Sequence, residues 1–166
     1  MSPMEDVERV WDTGHTTPHD IDKIDDLVAF YEEFKARTGA IYAAGIRWRH
    51  AGKTYDCEYP AEVLPDFSAA VVYGATVKLS QPQHYPPQMF LKVLNPDSSF
   101  RCRIDAPVIG EPSPTAERWI QLPRRFPHLG VHFGVPACYG RYWVVMDVDW
   151  MTGAMKRWVL APNLDR

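Results

Sequence analysis

The 166-residue sequence lacks any apolar run that approaches the roughly 20 residues of a membrane-spanning helix. Its first residues, Met1 to Asp6, are polar and acidic and contain no apolar core of a secretory signal. The sequence also lacks a Ser/His/Asp order, a phosphate-binding loop, a dinucleotide fingerprint and a His-Glu-x-x-His motif. We therefore expect a cytoplasmic protein without a recognisable enzyme signature.

Positive charge is also in short supply, since 18 lysines and arginines stand against 21 aspartates and glutamates. A net charge of −3 disfavours a protein that binds nucleic acid through its phosphates. Hydrophobic residues make up 46% of the chain and charged residues 23%, which is typical of a folded globular protein. The composition therefore predicts a protein with neither a nucleic acid nor a membrane as its partner.

Cysteine is scarce: the chain holds only Cys57, Cys102 and Cys138. An odd number of widely spaced cysteines does not form a disulfide framework, which indicates a reducing compartment. Each of the three is then a core residue, a metal ligand or a reactive thiol.

Hydrophobic periodicity predicts one helix and several strands. Thr17 as a cap, Pro18 at the first helical position and Gly39 as a stop bracket apolar residues at helical spacing, which predicts a helix over 18–38. Beyond it, apolar residues alternate over 46–50 and 55–59 around Ala51-Gly52, which predicts a β-hairpin. A second hairpin is predicted over 142–160.

These elements together predict an α+β fold. We expect an N-terminal amphipathic helix packed on a mainly antiparallel β-sheet, with a C-terminal β-hairpin. Residues 1–16 are predicted to be a flexible arm, and residues 17–166 a single domain.

A cluster of potential metal ligands lies late in the sequence. His128, His132 and Cys138 are side chains that zinc prefers, and two ligands from one short loop lower the cost of ordering a site. A fourth ligand would come from Cys57, Glu58, His84 or Cys102. The alternative is that His132 faces water between Val131 and Phe133 while Cys138 fills a gap in the core.

Cys102 is the candidate for a catalytic thiol. Arg101 and Arg103 flank it, and positive charge favours the thiolate. Strand alternation, however, places Cys102 on the face of Phe100 and Ile104, where the thiol would be buried and inert.

The segment Ala75-Thr76-Val77-Lys78-Leu79-Ser80-Gln81-Pro82-Gln83-His84-Tyr85-Pro86-Pro87-Gln88-Met89-Phe90-Leu91 resembles the strand–Tyr-Pro–Pro–strand corner of ubiquitin-conjugating enzyme-like domains. The similarity covers residues 20–104 and is greatest to divergent bacterial members and to the predicted metal-binding proteins that accompany them. It implies a helix on a four-stranded antiparallel meander, with a ubiquitin-like protein and its activating enzyme as partners. Asn95-Pro96-Asp97 stands where these enzymes have His-Pro-Asn, and Cys102 stands nearest the position of their active cysteine.

Three functional hypotheses follow from the sequence. The first is an accessory or binding protein of a bacterial ubiquitin-like modification pathway, with zinc held by His128, His132 and Cys138. The second is a structural protein of a phage or other particle, which the 6 tryptophans and 8 tyrosines favour because aromatic residues are common at interfaces. The third is a thiol enzyme that uses Cys102.

Overall fold

The computed structural model describes residues 1–21, 24–76, 88–105, 120–121, 131–134 and 142–162. By their internal contacts the residues of the chain fall into two compact units. One unit contains residues 1–72 and 94–99, and the other contains residues 73–93 and 100–166. In the described part of the chain, no helix is long and apolar enough to cross a membrane.

The described residues form twelve strands and a single α-helix, α1 (Leu27–Thr38). The prediction of an α+β fold with an N-terminal helix is therefore wrong, because α1 follows two strands and the protein is mostly β-sheet. The strands belong to three four-stranded sheets.

The first sheet lies in the first unit and has the order β2-β1-β3-β4. Its pairs are antiparallel. Its strands are β1 (Glu5–Trp11), β2 (Thr16–Pro18), β3 (Ala43–His50) and β4 (Lys53–Glu58). The order is not that of a simple meander, because β1 lies between β2 and β3, which are consecutive strands in the chain and are connected through α1. β1, which falls in the segment predicted as a flexible arm, pairs with a strand on each side.

The predicted helix over 18–38 begins too early. Thr17 does not cap a helix, because its hydroxyl accepts a hydrogen bond of 3.0 Å from the indole N–H of Trp11. Pro18 ends β2, opposite Glu8. The observed cap is Asp26, whose carboxylate accepts from the backbone N–H of Ala29 at 3.1 Å.

The end of α1 is as predicted. Gly39 follows the helix in the left-handed conformation, with φ of 72°, and its N–H donates to the Lys35 carbonyl at 2.8 Å. Only glycine adopts this conformation without a steric cost from a Cβ atom, so Gly39 ends the helix.

Alternation along β3 gives the first unit its core. Ile46, Trp48 and His50 are buried, whereas Arg47 and Arg49 point to the other face of the sheet. The hairpin predicted here is confirmed, with Trp48 opposite Tyr55 and Ile46 opposite Cys57. The buried cluster around Trp48 comprises Met4, Ile46, Trp48, Ala61, Ala70 and Leu94, and a second cluster beneath α1 comprises Trp11, Phe34 and Ala40.

The other two sheets are built from the rest of the described chain. The strands β5 (Ala61–Val63), β6 (Ala70–Thr76), β7 (Gln88–Leu94) and β8 (Phe100–Asp105) form a sheet of order β5-β6-β7-β8. The last sheet has the order β12-β11-β10-β9 and consists of β9 (Ile120–Gln121), β10 (Val131–Gly134), β11 (Tyr142–Val148) and β12 (Met155–Pro162). The prediction of a lone C-terminal hairpin is therefore also wrong, because β11 and β12 are two strands of this four-stranded sheet.

Candidate functional site

A row of charged side chains crosses the first sheet on the face opposite the buried Trp48. In register across the four strands lie Pro18 on β2, Glu8 on β1, Arg47 on β3 and Asp56 on β4. Residues opposite one another on neighbouring strands present their side chains to the same face. The sheet therefore places one arginine between two acidic residues.

Among the described residues, Arg47 forms an ion pair with only one of its two acidic neighbours in this row. Its Nε atom donates to Oδ1 of Asp56 at 2.8 Å, on β4. A second ion pair lies further along the sheet, where Nη1 of Arg49 is 3.2 Å from Oδ2 of Asp6. Arg47 and Arg49 thus each form an ion pair with one acidic residue.

An open groove of about 590 Å³ runs over this face. It is lined by Asp6, Val7, Glu8, Thr16, Thr17, Pro18, Arg47, Arg49 and Thr54. Its walls carry charged groups and threonine hydroxyls, with Val7 and Pro18 as the aliphatic part. We call it the β1–β3 groove.

Glu8 differs from the other acidic residues here. Its side chain is half-buried, and among the described residues it has neither an ion pair nor a side-chain hydrogen bond. The carboxylate lies in the β1–β3 groove beside an arginine whose ion pair is with Asp56. A partly buried carboxylate of this kind can receive a cationic group.

The helix contacts the sheet through other residues of β1. Nη1 of Arg9, the residue opposite Ile46, donates to the Tyr31 hydroxyl at 2.9 Å. The Trp11 ring lies 5.2 Å from that of Phe34, measured between centroids. These contacts attach α1 to β1 without using Glu8.

Cys102, the predicted catalytic thiol, is in β8 and only 6% exposed. Its S–H donates to the Trp150 carbonyl at 3.6 Å. Burial raises the pKa of the Cys102 thiol; the Asp149 carboxylate adds to this, while the Arg101 guanidinium opposes it. This environment favours the neutral thiol over the nucleophilic thiolate. Ile104 is buried beside it in phase, as alternation indicates, whereas Phe100 is exposed.

Most of the predicted zinc ligands lie outside the described residues. His128, Cys138 and His84 do so entirely. His132 is placed by its backbone in β10, opposite Val145, but its side chain is not described. Of the other candidates, Cys57 packs against the Trp48 cluster and Glu58 is exposed. No group of three potential metal ligands occurs among the residues that the structure describes, and the zinc site stays a prediction.

The corner that carries the resemblance to ubiquitin-conjugating enzymes also falls largely outside the described residues, over 77–87. Asn95-Pro96-Asp97 is described and forms the turn between β7 and β8. The Asn95 backbone N–H donates to the Ser99 carbonyl at 2.9 Å, and the Pro96 carbonyl accepts from the indole N–H of Trp48. The Ser99 hydroxyl and backbone N–H donate to Asp97 and lower the pKa of that carboxyl below its usual value.

The charged row on the first sheet was not identified from the sequence. A signal for part of it exists, because Arg47 and Arg49 alternate with buried residues in the predicted hairpin, and Asp56 alternates with Tyr55 and Cys57. The position of Glu8 opposite Arg47 has no such signal, since it depends on the pairing of two strands that are distant in the chain.

The chain matches no protein-family model and no curated protein. It is similar in fold to a chain in the solved structure of Tne2 in complex with Tni2, with a TM-score of 0.56 and 15% sequence identity. The similarity covers 95% of this chain and 99% of that chain. At this identity the match shows a common fold over nearly the full length of both chains.

Proposed function

We propose that the protein acts by forming a stoichiometric complex with a partner protein. The observation that carries this proposal is the similarity to a chain of the Tne2–Tni2 structure, which is a complex of two proteins, across almost all of both chains. Proteins with a common fold often differ in activity, so the proposal needs support from surface features of this chain.

The first unit exposes residue types that are frequent in protein interfaces. Tyr42 precedes β3 and is 61% exposed, and Tyr59 follows β4 and is 50% exposed. The two lie at the same end of the first sheet, since the Tyr59 N–H donates to the Ala44 carbonyl at 3.0 Å. Ile41, 74% exposed, extends this apolar surface. Exposed tyrosines are typical of surfaces that bind proteins.

The environment of Cys102 also favours binding over thiol chemistry. A catalytic cysteine needs an accessible thiolate, whereas Cys102 is buried and its pKa is raised. A role in a ubiquitin-like pathway or in particle assembly stays a prediction from the sequence. Each of these also requires a protein partner, so they are narrower forms of the present proposal.

Reconstitution from purified components tests the proposal. The full chain is purified from its host, a stoichiometrically copurifying protein is identified, and the two are produced separately and mixed. We expect a stable complex by sedimentation velocity and a Kd of about 1 µM or below by calorimetry. Failure of every separately purified candidate to bind, even weakly, would contradict the proposal.

A pair of variants localises the interface. Tyr42→Ala is expected to weaken the complex about tenfold, because exposed tyrosines at an interface contribute much of its binding energy. Val28→Ala removes an exposed apolar side chain from α1 and is the matched control, with little change expected.

A further inference from the structure

We propose that the β1–β3 groove binds a lysine or arginine side chain of the partner protein, and that Glu8 is the residue that recognises it. This inference rests on the proposed function and names the chemistry of the partner. It follows from the arrangement of charges on one face of the first sheet.

Two acidic residues, Asp6 and Glu8, line the groove, and among the described residues Asp6 alone of the two forms an ion pair. Arg47 holds Asp56 at 2.8 Å and Arg49 holds Asp6 at 3.2 Å. Glu8, opposite Arg47 on β1, has no such partner in the part of the chain that the structure describes. The groove therefore presents the carboxylate of Glu8, while each neighbouring arginine is paired with another carboxylate.

The position of Glu8 strengthens its attraction for a cation. The side chain is half-buried in the groove, so water screens it less than it screens a fully exposed carboxylate. A carboxylate accepts the forked N–H groups of arginine or the ammonium of lysine in charge-assisted hydrogen bonds. The hydroxyls of Thr16 and Thr54, which also line the groove, can accept further N–H groups.

The shape of the groove favours a protein segment over a small free ligand. Small-molecule sites are usually enclosed and mostly apolar, whereas this groove is open and lined by charged groups and threonines. Its volume of about 590 Å³ admits a long side chain together with neighbouring backbone. Both arginines that line the groove already pair with carboxylates, which disfavours a phosphate-bearing ligand.

Ethylguanidinium carries the guanidinium group of an arginine side chain, so it can probe the β1–β3 groove without the partner protein. Amide shifts of the isotope-labelled full chain are followed by NMR during titration at constant ionic strength. We expect saturable shifts at Glu8, Thr16 and Arg47. Glu8→Gln should weaken binding about threefold or more, and Glu32→Gln, on exposed α1, should leave it unchanged.

Two outcomes of this titration would overturn the inference. One is that Glu8→Gln and the unsubstituted protein bind ethylguanidinium equally. The other is that inorganic phosphate, and not ethylguanidinium, shifts the groove amides, which would show that the arginines dominate the site.

The reconstituted complex gives the second measurement and separates this inference from the proposed function. Glu8→Lys should weaken the complex about tenfold, mainly through repulsion of the partner's cation, while Glu32→Lys should not. A complex that forms and is insensitive to Glu8→Lys would refute the role of Glu8 and leave the proposed function standing. Absence of any complex would refute the proposed function, whatever the titration shows.

Discussion

The indole N–H of Trp48 donates a hydrogen bond of 2.6 Å to the backbone carbonyl of Pro96, a residue 48 positions away in the chain. Trp48 is fully buried at the centre of the main cluster of the first unit. The bond joins β3 to the turn between β7 and β8, so it fixes two segments of this unit that are distant in sequence.

Replacement of this tryptophan by phenylalanine tests the importance of the bond. Trp48→Phe keeps an aromatic ring in the core, but it leaves the Pro96 carbonyl without its donor and leaves a cavity, because phenyl is smaller than indole. We expect the free energy of unfolding to fall by about 1–3 kcal/mol, from urea titrations followed by circular dichroism. Tyr59→Phe, at an exposed position, is the control and should change it by less than about 0.5 kcal/mol. Equal effects of the two variants would mean that the bond contributes little.

The thiol of Cys102 is expected to react slowly in the native protein. Burial raises its pKa, so the thiolate fraction at neutral pH is lower than for an ordinary thiol and grows only above the usual thiol range. Iodoacetamide labelling, located by mass spectrometry after digestion, should modify Cys102 about tenfold more slowly than the half-buried Cys57. In denaturant the two rates should converge. Faster labelling of Cys102 than of Cys57 in the native protein would support the thiol-enzyme hypothesis instead.

The Asp97 carboxyl is expected to titrate below its usual range because Ser99 hydrogen-bonds its charged form. A pKa that is lower in the folded than in the unfolded protein stabilises the turn above the unfolded value, and this stabilisation is lost as the pH falls through the folded pKa. Ser99→Ala removes the hydroxyl donor but keeps the backbone N–H. NMR titration should therefore show the Asp97 pKa rising part of the way towards its usual value. An unchanged pKa would mean that the hydroxyl does not stabilise the carboxylate. Thr13→Ala, which removes an exposed hydroxyl bonded to His15, serves as the control.

Local patterns predicted the fold well where the interactions are local. The hairpin of β3 and β4 follows from alternation around a short turn, and Gly39 ends α1 as its conformational freedom indicates. The start of the helix was predicted wrongly because the Thr17 hydroxyl can accept a hydrogen bond in two different settings. Its hydroxyl could cap a helix, but in the structure it accepts from the buried indole of Trp11.

Pairing between strands that are distant in the chain accounts for the other differences between the predicted and the observed structure. β1 looked like a loose arm because its residues are mostly charged, yet it gains hydrogen bonds from both β2 and β3. Glu8 is an ordinary acidic residue in the sequence and becomes a candidate binding residue only because that pairing sets it opposite Arg47. Such a relationship depends on strand order, which hydrophobic periodicity does not specify.

The ion pair between Arg47 and Asp56 should control how available Glu8 is to a ligand. In Asp56→Asn the arginine loses its charged partner on β4 and can turn to Glu8, which lies opposite it on β1. We expect this variant to bind ethylguanidinium about threefold more weakly than the unsubstituted protein, in the same NMR titration, although Glu8 itself is unchanged. The free energy of unfolding should change by less than about 1 kcal/mol, because the two side chains are 39% and 59% exposed and the pair is well screened.

Asp105→Asn is the matched control for this variant. It breaks a similar ion pair, to Arg103 at 2.7 Å with side chains 40% and 51% exposed, in the second unit. Its effect on unfolding should be equally small, and it should leave the groove titration unaltered. Equal ethylguanidinium binding by Asp56→Asn and Asp105→Asn would show that Arg47 does not compete for Glu8, and that the ion pair to Asp56 does not keep the carboxylate open.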